Sequence, residues 1–180
     1  MTDFRVPDPY TALPELPALE VTSESFAEGA TLSAAQLGGT MGVQGGLDRS
    51  PQVSWSAGPE GTESYVVTVF DPDAPTASGF WHWSVANIPA DVTSLPEGAC
   101  TADDTSGLPE GAVVVRNDAG FKGFVGAAPP AGHGPHRYVL AVHAVSDTLD
   151  LGEDASCAYV GFNLFAQGLA RGTTTAIYEQ

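Results

Sequence analysis

The sequence predicts an all-β-dominated fold, a Greek-key-like sandwich of antiparallel sheets, carrying one main helix near residues 153–171. Three observations predict it. Apolar, β-branched runs at 64–70 (SYVVTVF) and 137–145 (RYVLAVHAV) are bounded by turn residues. The 21 Gly and 14 Pro are spread along the chain, as many short strands and turns require. A single segment near the C-terminus has helical rather than strand periodicity.

The elements follow in order. Residues 1–17 carry four prolines and read as an extended arm lying on the domain. From Ala18 to Phe26 a loose alternation predicts a first strand, and 38–46 (GGTMGVQGG) a Gly-rich loop. That loop has neither GxGxxG nor GK[ST], so it is not a dinucleotide or P-loop cradle. Strands are expected at Gln52–Ser56, Ser64–Phe70, Phe80–Ile88, Ala112–Arg116, Phe121–Val125 and Arg137–Val145, with 90–111 left as loop. Ala155, Ala158, Tyr159, Phe162, Phe165 and Leu169 fall on one helical face, expected to be the buried one. Glu153 and Asp154 suit that helix's N-terminal end, Arg171 and Gly172 its C-terminal end. Thr173–Tyr178 closes the sheet. At 180 residues, with no change of composition along the chain, a single domain spanning 1–180 is expected.

Charge narrows the function. Against 22 acids stand one Lys and five Arg, for a formal net charge of −16. Nucleic acids and anionic bilayers are bound mainly through Lys and Arg, so neither is an expected partner. No apolar run approaches membrane-spanning length, and the N-terminus lacks the basic and apolar regions of a signal peptide. A cytoplasmic protein without stable membrane insertion is expected. Cys100 and Cys157 lie far apart without a CxxC motif and are expected as free thiols.

Three places put polar residues together. In the run 71–75 (DPDAP), Asp71 and Asp73 would face one side if the backbone were extended, and the Ala74–Pro75 bond is a place to look for a cis peptide. A rigid turn explains this run equally well on its own. In 80–83 (FWHW), alternation sends His82 and Ser84 to one face and Trp81, Trp83 and Val85 to the other. A contact between His82 and the nearby Asp carboxylates is expected, although a buried structural histidine would look the same. In 132–138 (GHGPHRY), His136 and Tyr138 share a strand face while Arg137 points the opposite way. His133 reads as loop surface, and His143, inside an apolar strand, as structural.

SPQVSW (50–55), DPDAP (71–75), FWHW (80–83) and GPHRY (134–138), in this order, resemble the phosphatidylethanolamine-binding protein family. More narrowly they resemble its bacterial branch, named for similarity to Raf kinase inhibitor protein. The resemblance runs from about Leu19 to Tyr178. It implies one pocket for a phosphate-like or carboxylate anion, formed by Asp71, Asp73, His82, His136 and Tyr138, with Pro75 and Pro130 as walls. It implies a non-catalytic protein without metal or other cofactor, whose ligand is a small anion such as phosphate or a phospholipid head group. A homodimer is a further expectation. Animal members continue into a helix beside the pocket, beyond the point where this chain reaches Gln180, so kinase inhibition is not carried over. An Asp that accepts a hydrogen bond from one imidazole nitrogen would leave the other N–H to donate to the anion.

Two rival readings use the same residues. The Asp/His cluster could hold a metal for hydrolysis, although HExxH, HxH and GxSxG patterns are all missing. Alternatively, the pocket recognises a phosphorylated or acidic side chain on a protein partner such as a kinase or protease. A vestigial pocket, the third alternative, predicts no ligand.

Overall fold

The computed structural model describes residues 6–180; residues 1–5 of the expected arm lie outside the described residues. Among the described residues eight strands form two antiparallel sheets. The smaller has the order β1-β2-β5, from Val21–Thr22, Val53–Trp55 and Ser94–Leu95. The larger has the order β6-β4-β3-β7-β8, from Val113–Val114, Phe80–Pro89, Ser64–Asp71, His136–Val145 and Gly168–Tyr178. One α-helix, α1 (Cys157–Gln167), precedes β8.

Strands β3 and β7 are buried along their whole length, because the large sheet is covered on both faces. On the inner face Tyr65, Val67, Val69, Trp83, Leu140 and Val142 pack against Val53 and Trp55 of the small sheet. On the outer face Val66, Ala86 and Val145 pack beneath Cys157, Val160 and, partly, Leu164 of α1. Beside the helix the arm crosses the same outer face. It is tied down by Arg171 N–H to the Pro17 carbonyl at 2.9 Å and by the Tyr10 and Thr68 hydroxyls, 3.3 Å apart. Among the described residues no helix is long and apolar enough to cross a membrane. Cys100 and Cys157 are both buried and unbridged.

Several expectations are corrected. The first strand shrinks to Val21–Thr22, and the loop 90–111 contains the short β5. Phe121–Val125 is not a strand: Asn117 accepts from Ala119 N–H at 3.0 Å and donates to the Gly123 carbonyl at 3.0 Å, winding this stretch into a turn. No peptide bond among the described residues is cis. The helix starts later than expected, at the Ser156 cap, whose hydroxyl accepts from Tyr159 N–H at 3.2 Å. It also ends earlier, where Gly168 leads directly into β8.

The buried face of α1 is the opposite of the expected one. Cys157, Val160 and Leu164, at i, i+3 and i+7, meet the sheet, while Phe162 and Phe165 are 73% and 78% exposed. Small and β-branched side chains let the helix lie close on the sheet, and the aromatic stripe is left outside.

Candidate functional site

At one end of the large sheet, the β3–β4 hairpin, the start of β7 and the 126–130 loop enclose a pocket of about 150 Å³. Asp71, His82, His136 and Tyr138 line it, with Pro75 and Pro130 at its rim. Six of the seven residues expected in the site therefore meet around one cavity. Asp73 is the exception. The turn begins at Pro72, so the backbone is not extended and the two carboxylates diverge. Asp73 is instead held by Arg137, whose Nε and Nη2 donate to its two oxygens at 2.8 Å each. That forked pair leaves Asp73 a brace for the hairpin.

His82 reaches the pocket through a β-bulge. Phe70 pairs with Trp81 and Val69 with Trp83, so His82 is an extra residue on β4. The bulge separates the two tryptophans that alternation had put on one face. Trp81 turns outward beneath the helix and Trp83 stays in the inner core. His82 shows no carboxylate contact. Its Nδ1–H donates to the Val125 carbonyl at 2.8 Å, and burial pushes its pKa down to about 4. The ring is neutral at pH 7, with Nε2 left as a lone pair.

The carboxylate partner is taken by His136. Asp71 Oδ2 lies 2.7 Å from His136 Nδ1, with both side chains almost fully buried. Asp71 Oδ1 accepts from the backbone N–H groups of Asp73 and Ala74 at 2.8 and 3.0 Å, which fixes the carboxylate. Burial pushes the Asp71 carboxyl above the usual range, and the His136 hydrogen bond opposes that shift. The other nitrogen of His136, Nε2, lies 2.7 Å from His133 Nδ1. Asp71, His136 and His133 thus form a hydrogen-bonded chain that occupies both ring nitrogens of His136, so neither is left to donate to an anion, contrary to expectation.

His133, read from sequence as loop surface, belongs to this chain. Its signal is the spacing in GHGPH: a Gly-Pro turn between histidines three apart folds one ring over the other, with centroids 5.0 Å apart. Tyr138 completes the site. Its ring packs edge-on to His82 at 5.2 Å, and its buried hydroxyl has no hydrogen-bond partner among the described residues. Behind the pocket, Gly126 N–H donates to Asp48 at 2.8 Å, and any side chain on Gly126 would collide with the Leu37 carbonyl. That crossing fixes the loop that closes the pocket floor. Among the described residues no three His, Cys, Asp or Glu side chains converge as a metal-ligand set.

A family model for phosphatidylethanolamine-binding protein matches residues 22–179. The chain belongs to that family. It is 46% identical over 163 residues to the UPF0098 protein YbcL of Escherichia coli, covering 90% of this chain and 88% of YbcL. To the UPF0098 protein YbhB of the same organism it is 41% identical over 162 residues, covering 89% of this chain and 100% of YbhB. The crystal structure of YbcL, described as a new member of the mammalian PEBP family, superposes with a TM-score of 0.83. That alignment covers 90% of this chain and 98% of YbcL at 43% identity. The PEBP homolog CT736 from Chlamydia trachomatis gives a TM-score of 0.74 at 26% identity, covering 91% of this chain and 98% of its own. The two-sheet fold with one helix is therefore that of the phosphatidylethanolamine-binding proteins.

Proposed function

We propose that the protein is a non-catalytic binding protein whose pocket takes a small anion, the phosphate of a head group such as phosphoethanolamine. The observation that carries this reading is the Tyr138 hydroxyl, a buried donor with no hydrogen-bond partner among the described residues. A buried polar group left unpaired costs about 1–3 kcal/mol, so its retention fits a partner that arrives from outside. The pocket volume of about 150 Å³ suits a head group and is too small for a lipid tail. Among the described residues no Lys or Arg lines it, so hydrogen bonding rather than a fixed cation supplies the attraction.

Calorimetric titration with inorganic phosphate and phosphoethanolamine tests this reading. Saturable binding is expected, weakened about tenfold or more in Tyr138→Phe, the loss expected for one hydrogen bond to a charged group. Absence of binding up to millimolar ligand, or equal affinity in Tyr138→Phe, overturns it. A phosphoserine peptide offers the same anion from a protein partner; if it alone binds, the site serves partner recognition.

A further inference from the structure

The outer face of the large sheet holds a second and larger cavity, of about 370 Å³, between the arm, the sheet and α1. This volume lies within the range of small-molecule sites. Most of its wall is apolar, with Leu13 and Leu16 from the arm, Phe70 and Trp81 from the sheet, and Leu164 and Phe165 from the helix. Set into that wall are several polar residues, among them Tyr10 and Thr68, whose hydroxyls meet each other, Ser78, His143 and Arg171. His143 and Arg171 face each other directly across β7 and β8.

Neither of these two is paired with a carboxylate among the described residues. His143 is 4% exposed, and its ring nitrogens make no hydrogen bond among the described residues. Arg171 donates from Nη2 to the Pro14 carbonyl at 3.2 Å and lies over the Tyr10 ring at 5.3 Å. No carboxylate pairs with Arg171 among the described residues, although the chain carries 22 acids. Nor does any Asp or Glu line the cavity. A buried ring with no hydrogen-bond partner and a guanidinium with no carboxylate partner among the described residues thus face a mostly apolar cavity. Burial keeps His143 neutral, so one of its nitrogens carries a hydrogen to donate.

We propose that this cavity binds an amphiphilic carboxylic acid of medium chain length, its carboxylate on Arg171 and its apolar chain between arm and helix. One guanidinium fork matches one carboxylate, and the His143 N–H and the nearby hydroxyls supply further donors. A dianionic phosphate would find too little positive charge here; a hydrocarbon without a head group would leave Arg171 and His143 unpaired. This site stands independently of the anion pocket.

Decanoate, kept below its micelle concentration and titrated into the full chain by calorimetry, is the probe. One-to-one saturable binding is expected, with excess phosphate leaving it undiminished. Gly161 lies on the cavity wall, and a Cβ built there meets nothing within 4 Å. Gly161→Leu therefore fills the cavity without a backbone clash and raises helix propensity, so the variant should stay folded. It is expected to weaken decanoate binding about tenfold or more. Arg171→Met should weaken decanoate by a similar factor while leaving decanol binding unchanged. Lack of saturable binding, unchanged affinity in Gly161→Leu, displacement by phosphate, or equal losses for decanoate and decanol in Arg171→Met would each overturn the proposal.

Discussion

The two faces of the large sheet use histidine in opposite ways. His136 and His143 lie on the same strand, seven residues apart, so the two-residue period sends them to opposite sides. Both are almost fully buried. His136 is clamped at 2.7 Å to a carboxylate that is itself held by two backbone N–H groups. His143 makes no hydrogen bond among the described residues; it meets the Tyr10 ring at 6.0 Å and pairs with Arg171 across the strands. The neighbouring strands repeat the division: Asp71 and His82 line the inner pocket, while Phe70 and Trp81 line the outer cavity. Burial alone therefore says little about a histidine. Its partner decides whether it serves as a polar anchor or as part of an apolar wall.

The largest test of that difference removes the clamp. Asp71→Ala strips His136 of its buried partner and orphans the N–H groups of Asp73 and Ala74, which should cost about 3–5 kcal/mol. A urea midpoint close to that of the wild type would show that the pair contributes no such stability.

Acid sharpens the comparison next. Burial pushes His82 down to about 4 and His143 to about 3, whereas in the unfolded chain both titrate near 6.5. Below 6.5 the unfolded state takes up protons first, so stability falls as pH drops, until each folded pKa is passed. At about pH 4.5 each histidine should cost about 2 kcal/mol relative to pH 7. Urea denaturation at the two pH values measures the sum; an unchanged midpoint contradicts the neutral state assigned to both rings.

How much of this was legible in the sequence depends on whether local pattern or long-range packing decides. The runs SYVVTVF and RYVLAVHAV announced β3 and β7, because a strand covered on both faces reads as continuous apolar sequence. The pocket residues were legible through four short motifs; the partnership among them was not. His82 was paired with a carboxylate by proximity in sequence, but the antiparallel arrangement of β3 and β7 brings His136 to Asp71 from 65 residues away. The bulge at His82 left no mark in the alternation, since it is defined by the partner strand. Asp73 misled because its neighbour Pro72 already turns the chain. In α1 two apolar stripes of helical period coexist, and periodicity cannot choose between them. Only the space above Val66, Ala86 and Val145 admits the smaller one.

Two smaller effects separate a residue kept for a ligand from one kept for packing. Tyr138→Phe removes a buried hydroxyl that has no partner, so it should raise stability by about 1 kcal/mol while weakening the anion site. A function that costs stability marks the inner face. On the outer face, His143→Leu keeps much of the volume and removes no hydrogen bond, so at pH 7 its effect should stay within about 1 kcal/mol of zero. Its effect should appear only in acid. The variant no longer has to charge a ring between β7 and the arm, so its loss between pH 7 and about pH 4.5 should shrink by about 2 kcal/mol. His136→Leu, compared with it, leaves the buried Asp71 carboxylate unpaired and should be destabilised already at neutral pH. Equal behaviour of the two leucine variants would mean that burial, and not the partner, governs both rings.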